Sequence, residues 1–138
     1  MVGFLIEEVG GKPYADQMNE RLFKPLGMNR TTFRPTMAMT YPLSRGHDAS
    51  EKSKPTVIRP FGDNVAGWPD GFMFSSVDDL ARFAIAFMGG GKIDGKQVLT
   101  PSVITKLSTP YADLHSYFGF ENGRYGYGLF VHDHRGVQ

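Results

Sequence analysis

The sequence predicts an α+β fold that is mostly helical, with long irregular loops and a few short antiparallel strands. Apolar residues recur at helical spacing over residues 14–23, and residues 76–88 form a second, more apolar helical segment. Between them, residues 29–68 are rich in Pro, Thr, Ser and Gly, which is typical of loops. Residues 125–132 alternate as a strand does. The length and the 41% apolar content suggest a single domain over residues 1–138, and the observations below indicate that it is a partial one.

Two helices are predicted near the N-terminus. Residues 2–9 are apolar except for a pair of glutamates and run into a Gly-Gly pair, which suits the end of a helix. In the second helix, Pro25 and Gly27 follow the last periodic apolar residue, and both oppose continuation. Short candidate strands follow in the irregular middle of the chain, at residues 44–47 and 56–59.

The clearest helix begins after Ser76. The Ser76 hydroxyl stands at the N-cap position, and Asp79, three residues later, completes a variant of the capping box. Residues 83–88, which read FAIAFM, contain no polar side chain over about a turn and a half. Such a helix is expected to be enclosed by other elements rather than laid on a surface.

The last third of the chain predicts a turn, a helix and one strand. Residues 92–99 suggest a turn into a short strand, and Thr100, followed by a proline, predicts the start of a helix. Residues 125–138 are predicted to be the first arm of a sheet hairpin, with its turn at residues 133–136. An apolar helix with few neighbours and a hairpin with one arm both indicate a piece of something larger.

Four segments have the order and spacing of a known family. They are residues 3–33, which contain PLGM and TTF; residues 67–91, which contain SSVDDLARF; residues 98–110; and residues 125–131, which read YGYGLFV. In these segments the sequence resembles the serine beta-lactamase-like hydrolases, which include class C beta-lactamases, DD-peptidases and related esterases. The resemblance implies that the chain is the helical region of a larger beta-lactamase-like fold.

The catalytic motifs of that family do not occur here at their expected positions. The family nucleophile is the serine of an SxxK motif, yet every lysine here has a non-hydroxyl residue three positions earlier. The nearest matches to the Tyr-x-Asn motif, at Tyr14 and Tyr111, carry Asp at the third position. The third motif, Lys/His-x-Gly, matches His134 to Gly136 in letters, but these residues fall where the family has a hairpin turn. We therefore assign no catalytic residue, with His134 as the alternative to the turn interpretation.

The resemblance also implies where substrate would approach. In relatives, the segment before the SSVDDLARF helix lies near the substrate, so Trp68, Asp70 and Gly71 are the candidate substrate-binding residues at the cleft rim. Asp70 stands where the family pattern has a small residue. The structural alternative is that Trp68 packs in the core and Gly71 serves a turn.

The composition excludes several classes of partner. A net charge of +1 gives no electrostatic basis for binding nucleic acid, and the apolar runs are far shorter than the ~20 residues of a membrane segment. No cofactor is expected, and no metal, because residues 132–134 offer two imidazoles without a third ligand. There is no cysteine, so disulfides and thiolate chemistry are excluded. Localisation stays open between cytoplasm and periplasm, since no export signal is present.

Three functional hypotheses follow. The first is the central part of a beta-lactamase-like serine hydrolase: the full-length parent acylates its serine with a small-molecule lactam, D-Ala peptide or ester and then hydrolyses the acyl-enzyme, whereas this chain is inactive. The second is a non-catalytic module that forms a homo-oligomer through exposed apolar surface. The third is a small independent esterase that uses Ser75 or Ser76 with His134.

Overall fold

The computed structural model describes residues 1–49, 54–59, 62–114 and 123–132, and it has the predicted α+β architecture. The chain divides into two compact units, Met1–Phe83 and Ala84–Gln138. The expectation of one partial domain therefore stays a prediction. Over the described ranges, no helix combines the length and the apolar character needed to cross a membrane.

Helices open the first unit, as predicted. Helix α1 spans Val2–Gly10 and ends at Gly11, whose left-handed backbone lets its N–H reach the Glu7 carbonyl oxygen at 2.8 Å. A second helical run has three parts: α2 (Tyr14–Met18), a π-helical turn (Asn19–Phe23) and α3 (Lys24–Leu26).

The prediction that Pro25 helps to end the second helix is wrong. Pro25 lies inside α3, and the helix ends one residue later, before the left-handed Gly27. The π-helical turn explains this, because the Lys24 N–H bonds to the Asn19 carbonyl five residues back. The wider turn relieves the clash that a proline ring makes with the preceding turn of an α-helix.

The middle of the chain is less irregular than its composition suggests. It contains α4 (Pro35–Ala38), then β1 (His47–Asp48) paired antiparallel with β2 (Thr56–Val57), and a 3₁₀ turn at Val65–Gly67. The predicted strands at residues 44–47 and 56–59 thus overlap the two arms of one hairpin. The pairing of the two segments was not predicted.

An aromatic cluster forms the core of the first unit, and its members are Tyr14, Phe23, Phe33 and Trp68. Phe33 is the hub, because its ring centroid lies 5.2 Å from that of Tyr14, 5.9 Å from Phe23 and 6.0 Å from Trp68. All four side chains are buried. The cluster joins the helical run to the loop that carries Trp68.

Helix α5 spans Val77–Met88, and its predicted N-cap is confirmed: the Asp79 N–H donates to the Ser76 hydroxyl oxygen at 3.2 Å. The prediction that residues 83–88 are enclosed is wrong for one side of the helix. Ala86 is fully buried, but Met88 is 78% exposed. Polar contacts contribute to the buried side, because Asp79 is buried and the Arg82 guanidinium donates to the Leu26 carbonyl.

The second unit begins inside α5, at Ala84, and continues with a hairpin and a helix. Strands β3 (Lys92–Ile93) and β4 (Lys96–Gln97) are joined by Asp94 and Gly95, which both have positive φ, as a two-residue hairpin turn requires. Helix α6 spans Pro101–Ser108, and its predicted cap is confirmed by the bond from the Val103 N–H to the Thr100 hydroxyl.

The second unit also contains a three-stranded antiparallel sheet. Its strands are β5 (Ala112–Asp113), β6 (Arg124–Tyr125) and β7 (Phe130–Val131), in that order. The prediction of one continuous strand over residues 125–132 is wrong, because the chain turns back between β6 and β7. Gly128, at φ 83°, provides the left-handed residue that this turn needs. The predicted turn at residues 133–136 lies outside the described residues.

Candidate functional site

The rim segment, residues 68–74, carries the three predicted substrate-binding residues. At its start, Trp68 is only 9% exposed, and its indole N–H donates to the Asp63 carboxylate at 2.8 Å. The indole ring stacks on Phe33 with an interplanar angle of 26°. The structure therefore places Trp68 in the core, where it fixes the start of the rim segment.

Asp70 and Gly71 lie in the turn that follows, and both are exposed. Their backbone N–H groups donate to the Gly67 carbonyl oxygen at 3.0 and 2.9 Å. A Cβ atom at Gly71 would meet nothing within 4 Å, so this position opens to free space. Trp68, Asp70 and Gly71 thus share one turn, but only the last two face outward.

Phe72 is a rim residue that the sequence did not predict. Its φ of 62° lies in the left-handed region, which is unusual for a residue with a bulky side chain. Its ring lies close to Gly67, where a Cβ atom would approach a ring carbon to 3.0 Å. Phe72 and its neighbour Met73 are both partly exposed and give the rim an apolar edge. Strained backbone of this kind clusters at functional sites.

The end of the rim segment is held by a network around Asp79, which we call the Asp79 network. The buried Asp79 carboxylate accepts the Arg30 backbone N–H and the Thr31 hydroxyl, each at 2.7 Å. The Thr31 oxygen lies 2.8 Å from the Ser75 hydroxyl, and Thr32 and Phe74 exchange two backbone bonds. The network ties the loop after α3 to the start of α5.

A cavity of about 450 Å³ opens beside the end of the rim segment, and we call it the Arg30 cavity. Arg30 and Tyr41 line one side, with the guanidinium carbon 5.6 Å from the Tyr41 ring centroid. Ser75, Ser76 and Met73 line the other side. Nothing in the sequence predicted this cavity, because Arg30 and Tyr41 have no distinctive spacing.

Ser75 and Ser76, the candidate nucleophiles of a small esterase, both form hydrogen bonds within the fold. The Ser75 hydroxyl contacts Thr31, and the Ser76 oxygen accepts the first-turn N–H of α5. Their proposed partner His134 lies outside the described residues.

Over the described part of the chain, no three His, Asp or Glu side chains are grouped as metal ligands would be. Among groups near the rim, burial raises the pKa of the Tyr14 hydroxyl above its ordinary value.

Comparison with known families gives a match over the whole chain. The family model described as Beta-lactamase matches residues 1–138. Penicillin-binding protein 4 of Amycolatopsis lactamdurans is 24% identical over 140 residues, which cover 99% of this chain and 36% of that protein. Putative beta-lactamase-like 1 of Homo sapiens is 32% identical over 113 residues, which cover 80% of this chain and 21% of that protein.

Comparison with solved structures agrees. The octameric penicillin-binding protein homologue from Pyrococcus abyssi superposes with a TM-score of 0.78 at 26% identity. The superposition covers 95% of this chain and 28% of that one. The chain thus spans about a third or less of the length of these relatives.

Proposed function

The chain belongs to the beta-lactamase family of serine hydrolases, and from this premise we propose that it forms the helical wall of a substrate cleft. The catalytic serine and lysine would then come from the rest of a longer protein. One combination supports this proposal: the family match extends over residues 1–138, but no lysine in the sequence has a hydroxyl residue three positions earlier. Without such a pair, a serine lacks the neighbouring amine that accepts its proton.

The proposed reaction of the full-length protein is acyl transfer followed by hydrolysis. The serine oxygen attacks the carbonyl carbon of a lactam, D-Ala peptide or ester, the C–N or C–O bond breaks, and the released nitrogen or oxygen takes up the serine proton. The amine or alcohol then departs from a peptide or ester, whereas the amine of an opened lactam ring stays attached to the acyl group. Water then attacks the acyl-serine ester, releases a carboxylic acid and restores the serine. Backbone N–H groups hold the oxyanion in both steps.

In this proposal the rim segment is the contribution of the present chain to the cleft. Trp68 acts as a positioning residue, because its ring and its N–H are both held by neighbours in the first unit. Asp70 and Gly71 stand beyond it on the exposed turn and would face substrate. The buried anchor and the exposed turn together would present a fixed edge to the cleft.

Mass spectrometry after incubation with substrates tests the proposal. This chain and the longest open reading frame that contains it are each mixed with nitrocefin, p-nitrophenyl acetate and a D-Ala-D-Ala peptide. We expect a serine-linked adduct and turnover on the longer protein, and neither on this chain. Turnover of the ester by this chain, abolished by Ser76→Ala or His134→Ala, would instead support a small esterase.

A self-associating module is the second candidate, and exposed apolar surface favours it. The outer face of α1, formed by Val2, Leu5 and Val9, is exposed, as is the outer face of α5, formed by Val77, Leu80, Ile85 and Met88. Uncovered apolar patches of this kind mark interfaces or aggregation sites. The octameric state of the Pyrococcus abyssi relative is consistent with assembly in this family.

Light scattering on this chain tests the self-association candidate. If the outer face of α1 mediates association, the double variant Leu5→Lys with Val9→Lys should lower the mass toward that of one chain. The matched double variant Leu80→Lys with Ile85→Lys asks the same question of α5. A monomeric wild-type chain at tens of micromolar would contradict the self-association hypothesis and leave the hydrolase proposal untouched.

A further inference from the structure

The Arg30 cavity has the size and the lining of a small-molecule site. Its volume of about 450 Å³ lies within the range of ligand pockets, roughly 300–1,000 Å³. Leu43, Met73 and Phe74 contribute apolar wall. All of the lining residues belong to the first unit. The cavity can therefore accept an organic body in addition to a polar group.

Arg30 gives the cavity a positive charge held in place. Its backbone N–H is fixed by the buried Asp79 carboxylate, and its guanidinium lies over the Tyr41 ring. Within the described ranges, the Arg30 guanidinium forms no ion pair, and none of the residues that line the cavity is acidic. A guanidinium on an aromatic ring keeps its outer N–H donors available for a planar anion.

The Ser76 hydroxyl supplies a second donor. Its oxygen accepts the Asp79 backbone N–H at 3.2 Å, so its proton remains available to donate. Ser75 differs: the single Thr31 hydroxyl proton is directed to Asp79, so the short contact between Thr31 and Ser75 uses the Ser75 proton. The cavity thus presents one cation and the free hydroxyl donor of Ser76, with a further hydroxyl at Ser44, and its lining is divided about evenly between polar and apolar surface.

We propose that the Arg30 cavity binds a small monocarboxylate with an apolar body. The Arg30 guanidinium pairs with the carboxylate, Ser76 donates to one of its oxygens, and the body lies against Leu43 and Met73. A single cation matches a monoanion, whereas a phosphate dianion calls for more than one positive charge. The site adjoins the end of the rim segment at Met73 but includes none of Trp68, Asp70 and Gly71, and binding to it requires no catalysis.

Isothermal titration calorimetry on this 138-residue chain tests the site, with 4-phenylbutyrate as the probe and 4-phenylbutyramide as its uncharged counterpart. We expect the carboxylate to bind at least about tenfold more tightly than the amide, a ratio that corresponds to about 1.4 kcal/mol, because hydrogen bonds to a charged group are stronger than those to a neutral one. Arg30→Gln should remove that preference, and Arg30→Lys should restore part of it.

The exposed Arg21 provides a matched control. Arg21→Gln makes the same change in net charge outside the cavity and should leave the preference for carboxylate intact. Arg30→Gln keeps its backbone bond to Asp79, and an unchanged urea midpoint will show that it folds. Equal affinity for acid and amide, or an equal loss in the Arg21 and Arg30 variants, overturns the proposal. Neither result depends on whether the longer protein hydrolyses any substrate.

Discussion

The aromatic cluster and the outer face of α1 are both apolar, but only the cluster is buried. Phe33 is 4% exposed and contacts three other rings, whereas Leu5 is 64% exposed at the surface of α1. Apolar side chains alone therefore do not identify the core of this chain. The difference lies in long-range partners: the cluster draws side chains from segments far apart in sequence, and α1 presents its outer face to solvent.

The largest effect on stability is expected for Phe33, and Phe4 on α1 provides the direct comparison. Phe33→Ala removes the hub of the aromatic cluster and should lower the free energy of unfolding by about 3–5 kcal/mol. Phe4→Ala makes the same chemical change on α1, where the side chain is 59% exposed, and should cost well under half as much. Urea denaturation followed by circular dichroism measures both.

Similar losses of unfolding free energy in Phe33→Ala and Phe4→Ala would contradict this expectation. They would mean that Phe4 is covered in solution, either by another copy of the chain or within the same chain. Repeating the Phe4→Ala measurement over a range of protein concentrations distinguishes these explanations, because a cost that arises from association grows with concentration.

Local signals in the sequence predicted much of the helical part of the fold. The caps at Ser76 and Thr100 depend on contacts three residues apart, and both were predicted from sequence alone. The turn between β6 and β7 was missed, although Gly126 and Gly128 were visible, because alternation continued through them. The sequence wrongly predicted that Pro25 helps to end the helix. The helix continues through this proline because a π-helical turn precedes it.

The candidate site could be predicted only in part, because its contacts are long-range. Trp68, Asp70 and Gly71 were placed at the rim by family resemblance, and no pattern near Trp68 showed which way its ring would turn. The local sequence predicts a capping role for Asp79, whereas its carboxylate accepts a hydrogen bond from Thr31, 48 residues earlier. The Arg30 cavity depends equally on segments that sequence periodicity does not bring together.

The buried carboxylate of Asp79 provides the next test. It asks whether the first unit is stabilised by polar contacts as well as by its aromatic cluster. Asp79→Ala leaves the Arg30 N–H and the Thr31 hydroxyl without their acceptor, and should cost about 1–3 kcal/mol or more. Asp78→Ala, at the exposed neighbouring position, should change stability by less than about 0.5 kcal/mol. Equal urea midpoints for the two variants would show that the Asp79 network contributes nothing to stability.

Substitutions in the rim backbone should change stability by a smaller amount. The preference between glycine and alanine should have opposite signs at the adjacent residues Phe72 and Met73. At Phe72, glycine should be more stable than alanine by about 1 kcal/mol, because only glycine adopts its left-handed backbone without strain. At Met73, whose φ is not positive, alanine should be the more stable of the two. Comparing glycine with alanine at one site cancels the loss of the original side chain. If alanine is favoured at both sites, the left-handed backbone at Phe72 is not maintained in solution.

The smallest effect appears only at alkaline pH, inside the aromatic cluster. Burial raises the pKa of the Tyr14 hydroxyl above 10.0, so the folded chain holds this proton more tightly than the unfolded chain does. The resulting stabilisation is fully present below pH 10.0 and is lost as pH rises through the folded value, because the unfolded chain ionises first. Urea midpoints measured from about pH 9 to about pH 11 should therefore fall less steeply in Tyr14→Phe than in wild type. Tyr111→Phe removes a hydroxyl from an exposed tyrosine and serves as the control. If the urea midpoint falls with pH at the same slope in Tyr14→Phe and wild type, Tyr14 is open to water and the aromatic cluster is not closed around it.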